Sequence, residues 1–185
     1  MTMFEFIFLG NLVVEKGVDV LLSACRELHG RSCCFTCHIV GASSEHYTVE
    51  ACRAAVESAG LQEHVCVHGP LYGRDKEEML QRVQAMVFPT FYHNECFPFV
   101  ILEAMKYGLP VISTEEGAIP DMVIHGENGL LVEKRNPQAL AVAMQQLAEN
   151  PELAEQMGRK GRSFYEAAFT QSAFEQRVRD ILNRA

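Results

Sequence analysis

The sequence is short of positive charge. Sixteen Lys and Arg stand against twenty-four Asp and Glu, giving a formal net charge of −8. Binding a phosphate backbone needs clustered cations, so nucleic acid is not an expected partner. The one compact basic group, Arg159, Lys160 and Arg162, reads as a solvated helix surface. Long apolar runs are missing as well. None approaches the roughly 18 residues that a membrane-crossing helix needs, so no transmembrane segment is expected. The opening MTMFEFIFLG has neither a positive leader nor a small-residue cleavage site, and it reads as a strand rather than a secretory signal. Internal repeats, low-complexity stretches and an interdomain linker are also absent. A chain of 185 residues built this way is expected to form one domain, 1–185.

Cysteine is plentiful, with seven in the chain. Cys34 and Cys37 form a CxxC, and Cys33 and His38 stand beside them. No second Cys/His pair lies at zinc-finger spacing, and a thioredoxin-type motif belongs at a helix N-terminus. CCFTCHIV instead has the composition of a strand running into Gly41. Residues three apart on a strand point to opposite faces, so Cys34 and Cys37 cannot grip one ion. The expectation is buried free thiols and no metal. An odd number of unpaired cysteines suits a reducing, cytoplasmic setting.

Apolar patterning alternates strand with helix along the chain. Strands are expected at 4–10, 34–41, 64–69, 85–90, 109–114 and 128–133. Helices are expected at 17–30, 45–60 and 75–83, then from near Pro98 or Phe99, and through a tail beginning at Pro137 with boundaries at Asn150–Pro151 and Thr170. Short apolar strands separated by helices imply a parallel sheet covered on both faces. The fold class is α/β: a single Rossmann-like, doubly wound parallel sheet with C-terminal helices. Its ligand belongs beyond the C-terminal ends of the strands, at a topological switch point.

Three loops leave such strand ends with residues able to do chemistry. The first, GNLVVEKG (10–17), brings Gly10 for close backbone approach and Lys16 at the start of a helix, a plausible phosphate site. It is neither GxGxxG nor a Walker loop, and alone it reads better as a solvated lysine beside a tight turn. The second loop carries Glu95 and leads into a helix carrying Glu103, with seven mostly apolar residues between them. An unpaired buried carboxylate costs several kcal/mol, so two acids bracketing an apolar run do not read as ordinary core residues. Amides at the start of that helix, those of Phe99 and Val100, are free to face an anion. A carboxylate two oxygens wide can accept from both hydroxyls of a ribose. Either glutamate alone is equally well a dipole-facing or surface residue. In the third loop, Glu116, Gly117, Pro120 and Asp121 are explained by turn chemistry.

In combination and in order, these segments resemble a known family. FLGNLVVEKGVDVLLSA, VHGPL, VFPTFYHNECFPFVILEAMKYGLPVIST and EEGAIPDMVIHGENGLLV are similar to the C-terminal, donor-binding domain of retaining glycosyltransferases with the GT-B fold, group 1 (family four). ECFPFVILE is the E-x7-E motif of that family. The resemblance implies that a sugar is transferred from a nucleoside diphosphate sugar to an acceptor, in glycan or glycolipid synthesis. Glu103 would hold the ribose, and Glu95 would contact the transferred sugar. Phe97, Phe99 and Val100 would offer amides to the sugar and diphosphate, and Lys16 would neutralise the departing diphosphate. Gly10, Asn11 and Pro98 would complete the donor cradle, and Pro70 and Leu71 would border the base. No D-x-D pair is present, which suits a family that relies on protein cations, so neither metal nor cofactor is expected.

The chain departs from the family pattern at two positions: Asn11 stands where Arg is usual, and Pro98 where Gly is common. The resemblance also implies an N-terminal acceptor-binding domain or partner chain, absent here. The expectation is therefore a half-enzyme, weak or inactive alone, cytoplasmic and at the membrane periphery when whole. A non-catalytic binding module and a GT-B nucleotide-sugar epimerase are the alternatives; EAMKYGLPVI favours the transferase over the epimerase.

Overall fold

The computed structural model describes residues 3–183. Six strands, β1 (Phe4–Leu9), β2 (Phe35–Val40), β3 (Val65–Gly69), β4 (Ala85–Phe88), β5 (Val111–Thr114) and β6 (Gly129–Val132), form one sheet in the order β3-β2-β1-β4-β5-β6. All neighbours pair in parallel. The centre is the most apolar part, with Phe6, Ile7, Phe8, Phe35, Met86 and Phe88 fully buried. Side chains buried on both faces of a strand are what helices above and below require.

The helices are α1 (Val18–Gly30), α2 (Val49–Ser58), α3 (Gly73–Arg82), α4 (Phe99–Lys106), α5 (Ile119–Met122), α6 (Pro137–Glu149), α7 (Pro151–Ala168) and α8 (Gln171–Leu182). Helix α1 buries Val18, Leu21, Leu22, Cys25 and Leu28, one face at three- and four-residue spacing, and packs on α6. Helix α4 packs on α7. Local chemistry sets several starts: Thr48, Asn136 and Thr170 each accept from the backbone N–H three residues on. Prolines open α6 and α7, where a missing N–H costs nothing. The expected boundaries at Asn150–Pro151 and Thr170 follow from these caps.

Some expectations need correction. β4 stops at Phe88 because Pro89 cannot donate to the ladder. Around Pro120, expected as a plain turn, the chain makes the short helix α5. The CxxC cysteines are free but not all buried. β2 begins only at Phe35, which leaves Cys34 exposed and Cys33 half-buried ahead of it, while Cys37 is inside. Cys66 and Cys96 are exposed as well. Burial raises the Cys33 thiol pKa; that of Cys37 is raised first by its hydrogen bond with Cys25 and then by burial. Among the described residues no helix is long and apolar enough to cross a membrane.

Candidate functional site

The strand order reverses between β1 and β4, and the loops leaving these two strands meet. Gly17 makes the meeting possible: its φ is +83°, and a Cβ there would lie 2.2 Å from the Pro89 carbonyl oxygen. Only glycine tolerates both. The Phe91 N–H donates to the Glu15 carbonyl at 2.8 Å, fastening the β1 loop to the β4 loop. Lys16 is thereby brought onto Glu95, 79 residues away, and its Nζ pairs with Glu95 Oε2. The ammonium also lies 5.3 Å from the ring centroids of both Phe88 and Tyr92, within cation–π range. Glu95 is 8% exposed, and the pairing answers the cost of burying its charge.

The Glu95 loop is held from the far side as well. Gly117 presses on the Glu95 carbonyl, and the Ala118 N–H donates to the Cys96 carbonyl at 3.1 Å. Pro98 then precedes the first helical residue with φ −75° and ψ 103°; it stands just ahead of α4 rather than inside its first turn. The amides of Phe97, Phe99 and Val100 find no hydrogen-bond partner among the described residues. They leave the positive end of α4 open to an anion. One turn further, half-buried Glu103 is met by Lys76 of α3, Nζ to Oε1 at 2.5 Å.

Two contiguous clefts follow this rim. One, of about 370 Å³, is lined by Gly10, Asn11, Lys16, Glu95, Phe97, Pro98, Phe99 and Val100, with Leu9, Val13 and Phe88. The other, of about 180 Å³, is lined by Pro70, Leu71 and Glu103 with Tyr72, Lys76 and the backbone turn at Val40–Ala42, and it shares Leu9, Gly10, Asn11 and Val100 with the first. The two clefts therefore bring together all eleven residues singled out from the sequence. Sequence reasoning missed Lys76, Tyr72 and the clamping role of Gly117. Lys76 lies in a helix start of mixed charge, between Arg74, Asp75, Glu77 and Glu78, with no signal of its own, and Gly117 looks like any turn glycine until Glu95 is placed beside it.

Neighbouring features differ in character. A larger depression of about 510 Å³ lies along Glu115, Leu131, Val132, Glu133 and Lys134, but its carboxylates repel an anion, and Lys134 is taken by Glu116 at 2.7 Å. Across β1, β2 and β3, buried His38 meets Glu5 at 3.1 Å and His68 at 3.0 Å. Burial holds both imidazoles below their usual pKa; the Glu5 hydrogen bond partly offsets this at His38, and Arg82 adds to it at both. On the other side, Phe97 contacts Phe99 at 5.8 Å and Phe169 at 5.9 Å between ring centroids, and Phe169 contacts Phe164 at 5.4 Å. This aromatic chain links the cleft to the joint between α7 and α8.

A family model described as glycosyl transferases group 1 matches residues 2–164. The chain is 38% identical over 166 residues to D-rhamnosyltransferase WbpZ of Pseudomonas aeruginosa, covering 89% of this chain and 41% of that one. It is 30% identical over 154 residues to D-inositol 3-phosphate glycosyltransferase of Corynebacterium diphtheriae, covering 82% and 36%. The chain thus spans about two fifths of the length of these curated relatives. Among solved structures, sucrose-phosphate synthase from Thermosynechococcus elongatus matches with a TM-score of 0.83 at 26% identity, over 99% of this chain and 46% of that one. Anabaena Alr3699/HepE, solved in complex with UDP and glucose, matches with a TM-score of 0.85 at 21% identity, over 99% and 49%.

Proposed function

Because this chain belongs to the glycosyl transferases group 1 family, and its sheet is the Rossmann-like C-terminal half of a GT-B fold, we propose that it binds the nucleoside diphosphate sugar of a retaining glycosyl transfer. The observation that carries this reading is the convergence of Lys16, Glu95, Glu103 and the unpaired amides at the start of α4 on two joined clefts. The base lies at Pro70 and Leu71, the ribose on Glu103, the diphosphate along the Phe99 and Val100 amides, and the sugar near Glu95 and Phe97.

In the reaction the bond from the anomeric carbon to the diphosphate oxygen breaks, and its electron pair leaves with the diphosphate. The acceptor hydroxyl oxygen bonds to that carbon on the same face, and its proton passes to the departing diphosphate. Charge grows on that oxygen in the transition state. A fixed cation and oriented amides there lower the barrier without reorganising. Lys16 is that cation, and its ring contacts with Phe88 and Tyr92 keep it in place when the diphosphate competes with Glu95 for it. In this reading a protein cation takes the part that a divalent metal plays in other transferases. The acceptor is bound by an N-terminal domain or partner chain, and the product is a glycan or glycolipid made on the cytoplasmic side.

A second reading, a module that binds donor without turning it over, is favoured by Asn11, which brings a hydrogen-bonding amide to the cleft but no charge. A thermal-shift screen of UDP, GDP and ADP sugars tests the donor reading, because a ligand that binds only the folded state raises apparent stability by mass action. A rise with at least one donor is expected, and no rise with any of them overturns it. Release of labelled sugar from that donor, with and without an N-terminal half, separates the two readings.

A further inference from the structure

Lys76 and Glu103 form an ion pair of a different kind from the surface pairs of this protein. Arg74–Glu78 and Arg162–Glu166 are neighbours one turn apart on a single helix. Lys76 and Glu103 come from α3 and α4, both half-shielded, and both line the smaller cleft. An ammonium only donates, so it engages Oε1 and leaves Oε2 open to hydroxyl donors. It also cancels a negative charge that stands one helical turn from the Val100 amide. Among the described residues the other cation lining the clefts, Lys16, is already committed to Glu95. The two lysines and two glutamates therefore balance, and losing Lys76 leaves the cleft net negative before any diphosphate arrives.

We infer that Lys76 is a positioning residue of the nucleotide site. It holds Glu103 with one oxygen free for the ribose and neutralises it, so that a diphosphate can bind beside a carboxylate. This rests on the donor-site reading above. Lys76 acts through Glu103 and not by touching the ligand, and that distinction is measurable.

The test is isothermal titration of the full chain with UDP, GDP and ADP and their nucleosides. Lys76→Met is expected to weaken the diphosphate that binds the wild type by roughly tenfold and the matching nucleoside by roughly twofold. The difference between the two should shrink as salt is raised to about 0.5 M. Lys76→Arg, which keeps the charge, should stay within about threefold of wild type. In a Glu103→Gln background no charge remains to neutralise, and adding Lys76→Met should cost less than about twofold. Should Lys76→Met lower the melting temperature, Lys76→Gln repeats the series with a donor but no charge. An equal loss in both backgrounds overturns the inference, because Lys76 would then contact the ligand itself. No loss in either overturns it too. If the wild type binds a diphosphate and Lys76→Met binds it equally well, only this inference falls. If the wild type binds none of the three, the donor-site reading falls and takes this inference with it.

Discussion

Gly117 leaves no room for a side chain beside Glu95: a Cβ on it would lie 1.6 Å from the Glu95 carbonyl oxygen. Its φ of +53° would strain any other residue even in open space. Gly117→Ala must therefore displace the Glu95 loop or the turn after β5. A loss of about 2 kcal/mol is expected, lowering the melting temperature by about 4–8 °C, with weaker nucleotide binding. A melting curve unchanged from wild type would show that the loop yields freely.

Lys16 and Glu95 are coupled in stability but unequal in binding. Lys16→Met leaves a nearly buried carboxylate unpaired, at an expected cost of about 3–5 kcal/mol. Adding Glu95→Gln to Lys16→Met should recover most of that stability and none of the diphosphate affinity. Urea titrations of the three proteins measure the first effect, and calorimetry with diphosphate and nucleoside measures the second. Equal losses for nucleoside and diphosphate would count against Lys16 as the phosphate cation.

Glu103→Ala should weaken a nucleoside diphosphate by roughly tenfold, the worth of about two charge-assisted hydrogen bonds less the water they displace. A 2′,3′-dideoxy analogue should bind wild type and variant almost equally, since it has no hydroxyls to offer. A full loss with the dideoxy compound would sink the ribose assignment.

Acid should weaken the fold through His38 and His68. Burial lowers both folded-state pKa values, while an unfolded imidazole titrates near 6.5. Below that pH the unfolded chain binds protons that the folded chain refuses, so unfolding gains. Stability is then complete above about pH 6.5, is lost as pH falls from there toward the depressed folded values, and levels off below them. Urea midpoints at about pH 7.5, 6.5 and 5.5 check this, and His38→Gln should flatten the slope over that range.

Phe169 lies outside the clefts, yet its ring packs tilted against that of Phe97, at an interplanar angle of 54°. Phe169→Ala should loosen the Phe97 backbone and reduce donor affinity by about threefold to tenfold, consistent with about 1 kcal/mol for an aromatic pair. Phe169→Leu, which keeps apolar contact, should lie between the variant and wild type. Unchanged donor binding in both would confine Phe169 to holding the joint between α7 and α8.

Strand and helix order, the parallel sheet and the tail boundaries at Asn150–Pro151 and Thr170 were legible because they depend on neighbours in sequence. Apolar runs make strands, three- and four-residue spacing makes helices, and Thr, Asn and Pro make caps. The E-x7-E spacing likewise placed Glu95 before a helix and Glu103 within it, since both positions follow from where that helix begins. The cysteines went less well, because exposure of Cys34 turns on β2 starting one residue later.

The sequence by itself thus determined which elements form, in what order, and which residues stand at the strand ends. Only the tertiary structure decided what those residues face. Lys16 meets Glu95 across 79 positions and Lys76 meets Glu103 across 27, while Gly117 closes on a carbonyl 22 residues earlier. Such pairings depend on how loops from separate strands come together over the sheet. Local periodicity and capping carry no record of that, because a hydrogen bond or a steric limit between distant residues exists only once the strands between them are in register.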